Sequence, residues 1–228
     1  MTNNAKTAVI IGASRGLGLG LVKEYLARGW NVIGTERTAG SAKELHALAT
    51  PALRIETIDI NDEKQTAALK SRLAGTGIDL LFVNAGVIDD VEPVGNVSTE
   101  EFTRLMVTNA LSPLRVIEAL DDLVAPTGSI AVMSSGLASV ENNTGGGYEV
   151  YRASKAALNT LMRSYAARAG GKRSLFCMAP GHVRTDMGGD SAPLDVATST
   201  RGMADTIAAH AGKPGLKFLS YQNAILPW

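Results

Sequence analysis

Short apolar, β-branched runs alternate along the chain with segments whose apolar residues recur at helical spacing. This pattern predicts strands over 7–11, 31–35, 53–57, 80–84, 129–134, 175–178 and 217–219. Between them it predicts helices over 17–28, 42–49, 63–73, 99–120, 151–169 and 202–210. The strands are continuous apolar runs, as expected of strands covered on both faces. Regular β–α alternation without repeats or an evident linker predicts one α/β domain over residues 1–228: a doubly wound parallel sheet with helices on both faces. In such sheets ligands bind beyond the carboxyl ends of the strands, near the point where strand order reverses. Polar residues that directly follow the strands are therefore the first candidates for chemistry.

Composition narrows the function classes. Hydrophobic residues make up 45% and charged residues 19% of the 228, the profile of a globular protein with a substantial core. Lys plus Arg balances Asp plus Glu at 22 each, so no net field draws nucleic acid or an anionic membrane. No apolar run approaches the ~20 residues that cross a bilayer, and the first residues lack a signal-peptide pattern. The lone Cys177, inside an apolar strand, reads as a core thiol, and the expected compartment is the reducing cytoplasm. One cysteine and three scattered histidines give no metal site, and His46 and His210 are expected at the surface of helices.

Two constellations carry chemistry. The first strand runs into GASRGLG, with Gly12, Gly16 and Gly18 ahead of a helix. A glycine turn lets the backbone approach a pyrophosphate, and the helix N-terminus offers free N–H groups and the positive end of a dipole. The order here is G-x-x-x-G-x-G rather than G-x-G-x-x-G. The second is Tyr151 and Lys155, four residues apart in YRASK and so on one helix face. A free phenol, with a pKa of about 10, is a poor acid at neutral pH. A neighbouring ammonium favours the phenolate and is expected to lower that value.

These pieces occur with others in a recognisable order: Asp59 after the third strand, NAG at 84–86, Asn109 in the long helix, Ser135 after the fifth strand, YRASK, then PGHVRT at 180–185. The whole chain resembles the classical short-chain dehydrogenase/reductases, and its long loop before Tyr151 and its short C-terminus look most like the sniffer and C-factor-like carbonyl reductases. The resemblance implies a Rossmann-type fold and hydride transfer between a nicotinamide and a carbonyl or alcohol. It implies Tyr151 as general acid/base, Lys155 binding the nicotinamide ribose, Ser135 bonding the substrate oxygen, and Asn109 holding a water that links Lys155 to solvent. Ser134 competes with Ser135, because strand alternation turns only one of the two toward the site. The same resemblance assigns cofactor contacts to Gly12, Ser14, Arg15, Gly16, Leu17 and Gly18. It adds Asp59 and Ile60 at the adenine, Asn84, Ala85 and Gly86 beneath the riboses, and Pro180, Gly181, Val183 and Thr185 near the nicotinamide amide.

Cofactor choice turns on the end of the second strand, where Glu36 and Arg37 are adjacent. An acidic residue here binds a ribose 2′-hydroxyl and favours NAD, whereas arginine accommodates the 2′-phosphate of NADP. Arg37 with Arg15 favours NADP(H); Glu36 leaves NAD(H) open. Substrate-pocket candidates are Ser135, Val87, Leu137, Tyr148, His182 and Met187, covered by a small-residue segment over 186–201 that reads as a mobile lid. Two other readings remain: a non-catalytic nucleotide sensor or signalling protein on the same fold, and a sugar-nucleotide epimerase or dehydratase, which normally carries a larger C-terminal region. The resemblance implies a small-molecule partner and a homodimer or homotetramer built on the faces of the 99–120 and 151–169 helices.

Overall fold

The computed structural model describes residues 5–88, 93–169 and 171–228. Seven strands, β1 (Thr7–Ile11), β2 (Asn31–Glu36), β3 (Leu53–Thr57), β4 (Ile78–Val83), β5 (Val124–Met133), β6 (Ser174–Ala179) and β7 (Gly215–Ser220), form one sheet. Their order is β3-β2-β1-β4-β5-β6-β7 and every pairing is parallel. The order reverses between β1 and β4, which puts the switch point where the glycine loop and the segment after β4 meet.

Strand alternation builds a core on each face. Val9, Ile11, Leu81, Val83, Ile130 and Val132 point to one side, under α3 (Glu63–Arg72), α5 (Ser112–Leu120) and α6 (Glu149–Ala169). Ala8, Ile10, Leu80, Phe82, Ala131 and Met133 point to the other, under α1 (Gly16–Ala27), α2 (Lys43–His46) and α7 (Val196–His210). Cys177 is buried in the first core, and burial pushes its thiol pKa up, so it is inert there. Among the described residues no helix is long and apolar enough to cross a membrane.

Three elements differ from the sequence pattern, each for a physical reason. The 99–120 helix is α4 (Thr99–Met106) and α5 joined by a π-type turn over Val107–Leu111, in which one extra residue is accommodated without breaking the helix. The 202–210 helix begins earlier, at Val196, where the Asp195 side chain caps the Thr198 N–H at 2.7 Å. The expected lid therefore dissolves. Residues 196–201 are helix, and the rest is tied down by a Val183–Leu194 bridge and an Arg184 Nη1 bond to the Ala192 carbonyl at 2.9 Å. His210 is not a simple surface residue either: Nε2 donates to Asn223 Oδ1 at 2.7 Å, while Nδ1 is buried without a partner.

Candidate active site

The glycine loop is held from three sides. The Gly12 N–H donates to Thr35 Oγ1 at 2.9 Å, and Asn84 Nδ2 donates to the Gly12 carbonyl at 2.7 Å. The Asn84 and Ala85 N–H groups both reach the Ile11 carbonyl, at 2.9 and 3.0 Å. Gly12 has φ +86°, and a Cβ there would meet the Ala85 backbone at 2.8 Å. A Cβ on Gly18 would lie 1.9 Å from the Gly12 carbonyl oxygen. These two glycines are steric requirements. Helix α1 opens with no side-chain cap and no acidic residue in its first turn, so its N–H groups face the loop uncompensated. A group with diphosphate charge fits this cradle.

Glu36 is turned away from the cradle. Its carboxylate accepts the Gly40 N–H at 2.7 Å, the Ala42 N–H at 2.9 Å and His46 Nε2 at 3.0 Å, and its side chain is almost wholly buried. Burial pushes its pKa up, but these bonds outweigh that and hold it below the usual carboxylate range. The expectation of Glu36 as a ribose ligand is corrected: the loop after β2 consumes its carboxylate. Arg37, next in sequence, is exposed. Arg15 projects from the loop and pairs with Asp186 at 2.5 Å, both side chains largely exposed. Ile60 is buried, and the Asp59 carboxylate accepts the Asn61 N–H at 2.9 Å.

Tyr151 and Lys155 lie one turn apart on α6, both buried, with Lys155 Nζ 5.8 Å from the Tyr151 ring centroid. Burial pushes the Tyr151 phenol's pKa up to about 12, and the nearby Ser135 hydroxyl offsets this only in part. Lys155 donates to the Met133 carbonyl at 2.9 Å, and burial pulls its pKa down to about 8. The expected lowering of the Tyr151 pKa by Lys155 is thus absent here, because the ammonium is spent on a strand carbonyl and the phenol is desolvated.

Alternation along β5 separates the two serines. The Ser134 hydroxyl points under α6 and donates to Asn159 Oδ1 at 2.7 Å, whereas Ser135 faces Tyr151 and also accepts the Leu137 N–H at 3.1 Å. Asn109 sits in the π-type turn, fully buried. Its Oδ1 accepts the Val87 N–H at 2.8 Å, and its Nδ2 donates to the Val87 carbonyl at 2.8 Å and to Ser154 Oγ at 3.0 Å. The Asn109 side chain therefore pins the segment after β4 rather than offering a free amide to water. Gly86 lies between the two groups: a Cβ there would be 3.2 Å from both Asn109 Oδ1 and Lys155 Nζ.

The candidate substrate side is looser. Val87 and Leu137 pack against a small cluster containing Tyr151. Tyr148 has φ +52° and is 37% exposed, and Met187 is 45% exposed. His182 Nε2 donates to the Gly188 carbonyl at 2.8 Å, so it serves its own loop. After β6, the Pro180 carbonyl accepts the Ser199 hydroxyl at 2.7 Å, and Gly181 has φ +82°. Val183 is buried at its bridge, and Thr185 Oγ1 accepts the Gly188 N–H at 3.1 Å. Sequence reading missed Thr35, Ser154, Asn159 and Arg152. Of these only Ser154 and Asn159 carried a signal, three and eight residues beyond Tyr151 and so near its helix face.

The family model for short chain dehydrogenase matches residues 6–194. The chain is 36% identical over 155 residues to the C-signal protein of Myxococcus xanthus, covering 66% of this chain and 93% of that one. It superposes with a TM-score of 0.95 on a Burkholderia multivorans structure described as a short-chain dehydrogenase/reductase with bound NADP, at 45% identity, covering 98% of this chain and 100% of that chain. Against the carbonyl reductase Sniffer of D. melanogaster the TM-score is 0.89 at 32% identity, with 99% of each chain covered. With the Ser135, Tyr151 and Lys155 cluster facing a glycine cradle at the switch point of the sheet, this chain belongs to the short-chain dehydrogenase/reductase family of oxidoreductases.

Proposed function

We propose that the protein is an NADPH-dependent carbonyl reductase, and the observation that carries this reading is the buried pair Tyr151 and Lys155, one turn apart on α6, with Ser135 beside the phenol. Bound NADP(H) supplies the hydride in reduction and accepts it in oxidation. Gly12, Ser14, Arg15, Gly16, Leu17 and Gly18 hold its diphosphate through backbone N–H groups. Arg37 and Arg15 take the 2′-phosphate; the engagement of Glu36 elsewhere removes the carboxylate that would repel it. Asp59 and Ile60 flank the adenine, Asn84, Ala85 and Gly86 lie beneath the riboses, and Pro180, Gly181, Val183 and Thr185 border the nicotinamide amide. The bound NADP of the Burkholderia relative supports the same choice.

The chemistry of this chain's residues follows from their charge states. A phenol with a pKa near 12 is protonated at neutral pH, so Tyr151 is poised to donate its proton to a carbonyl oxygen. Ser135 donates a hydrogen bond to that oxygen as charge develops on it. Lys155, still cationic below about pH 8, binds ribose hydroxyls. Asn109 is a positioning residue that fixes the Val87 segment beside them. Leu137, Tyr148, His182 and Met187 line the mouth where the substrate's remainder rests. The exposed Leu111 and Leu161 of the 99–120 and 151–169 segments support a homodimer or homotetramer, which light scattering on the purified chain measures directly.

Incubation with NADPH or NADH and a panel of aldehydes and ketones tests the reading. NADPH oxidation with at least one carbonyl, and a lower KM for NADPH than for NADH, is expected. A strong preference for NADH would overturn the cofactor choice, and inertness with both cofactors would overturn the reductase. The name of the Myxococcus relative, C-signal, favours a second reading, a signalling protein on this fold. That reading gains if a cellular activity persists in Tyr151→Phe.

A further inference from the structure

Glu36 is the last residue of β2, and the residue before it already serves the cofactor cradle. Thr35 accepts the Gly12 N–H through Oγ1 at 2.9 Å and the Ala13 N–H through its carbonyl at 2.7 Å. The chain therefore leaves β2 beside the glycine loop, and Arg37 to Ser41 form a turn that leads into α2.

The Glu36 carboxylate folds that turn. Oε1 accepts the Gly40 N–H and His46 Nε2, and Oε2 accepts the Ala42 N–H. One buried anion thus grips the turn itself, the residue ahead of α2 and the residue that ends α2. Among the described residues neither the Gly40 nor the Ala42 N–H has another acceptor. Ala42 is buried, so removing the carboxylate strands its N–H, which is costly unless the turn opens. Packing does not hold the turn in its place: Gly40 has φ +72°, with nothing within 4 Å of where a Cβ would lie. Within the turn, Ser41 donates to the Thr38 carbonyl from its N–H at 3.1 Å and its hydroxyl at 2.6 Å. Arg37, by contrast, is exposed, and among the described residues no carboxylate pairs with it.

We propose that Glu36 is a positioning residue for cofactor specificity, its carboxylate folding the 37–42 turn so that Arg37 meets the cofactor's 2′-phosphate. This role rests on the NADPH-dependent reading of the site. A carboxylate at the end of the second strand ordinarily favours NAD by binding a ribose hydroxyl. Here it works in the opposite direction, through the loop it holds.

Dissociation constants for NADPH and NADH, read from nucleotide fluorescence without turnover, test the role. Glu36→Ala should weaken NADPH about tenfold and leave NADH within about twofold, because only NADPH carries the phosphate that Arg37 meets. Glu36→Gln keeps the side-chain size and one acceptor oxygen, so its loss should be smaller, about fourfold, and it serves should Glu36→Ala fold poorly. Circular dichroism confirms that each variant is folded. In an Arg37→Ala background, either change at Glu36 should leave NADPH affinity within about twofold, since a residue that acts through Arg37 has nothing left to position. Tighter NADPH and weaker NADH in the Glu36 variants would place the carboxylate at the ribose and overturn the proposal. An equal loss of both nucleotides, or an undiminished effect in the Arg37→Ala background, would also overturn it. An unaltered chain that prefers NADH would overturn the NADPH reading itself, whereas an NADPH preference unchanged in the folded Glu36 variants would overturn this role alone.

Discussion

Glycines do opposite work at the two halves of this site. In the cofactor half, Gly12 and Gly18 are packed so tightly that a Cβ would collide with backbone at 2.8 and 1.9 Å. In the substrate half, Gly145, Gly146 and Gly147 have nothing within 4 Å of where a Cβ would lie, and the last two have φ of +64° and +70°. The first set is fixed by contact, the second by conformation alone. What holds the second half is one side chain: Arg152 donates from Nε to the Gly147 carbonyl at 2.8 Å and from Nη2 to the Gly146 carbonyl at 3.1 Å, with Nη1 at 3.5 Å from the Leu137 carbonyl. A family can keep the cradle constant and vary the mouth, because only the cradle is dictated by packing.

Gly18→Ala should break the cradle most severely. The forced shift of the Gly12 carbonyl and Asn84 is expected to cost about 3 kcal/mol and to abolish NADPH binding. Gly146→Ala, strained only by its positive φ, should cost about 1 kcal/mol and leave NADPH binding intact. Thermal unfolding and NADPH titration of the two variants measure the contrast, and equal effects would dissolve it. Within the cradle, Arg37→Ala should weaken NADPH about tenfold and leave NADH unchanged, read from the two dissociation constants. At the mouth, Arg152→Ala should raise the carbonyl KM about fivefold without altering NADPH affinity, as expected for about 1 kcal/mol of lost loop anchoring. A change in NADPH affinity instead would mean that the halves are mechanically joined.

A pH dependence of stability is also expected. Lys155 has a folded pKa of about 8, below its unfolded value of 10.5, so the unfolded chain binds more protons between those values. Its contribution therefore makes stability rise with pH from about 8 to 10.5, and the penalty of burying its charge is fully present below pH 8. Comparing the melting temperature of the native chain and Lys155→Met across that range isolates it; the variant should lack this increment.

The sheet was legible in the sequence, and the glycine loop and YRASK marked the candidate site, because apolar runs, glycine spacing and YRASK are local signals. What stayed hidden depended on distant partners. Glu36 reads as a ribose ligand until the turn at Gly40 and Ala42 claims its carboxylate. Lys155 reads as the partner of Tyr151 until the Met133 carbonyl takes its proton donor. Ser134 and Ser135 are interchangeable in sequence, and only the position of Asn159 under α6 separates them. The start of α7 reads as lid in the sequence because Ala197, Thr198, Ser199 and Thr200 carry little apolar signal, while the cap from Asp195 lies outside the periodic pattern.

The central claim is that Tyr151 moves the proton while the cradle holds the cofactor independently. Measuring kcat for a carbonyl substrate together with the NADPH dissociation constant in Tyr151→Phe tests it most directly. The account predicts a fall in kcat of about 10²–10⁴ with NADPH affinity within about twofold of the native chain. Retained turnover within about tenfold, or a loss of NADPH binding equal to the loss of rate, would contradict it.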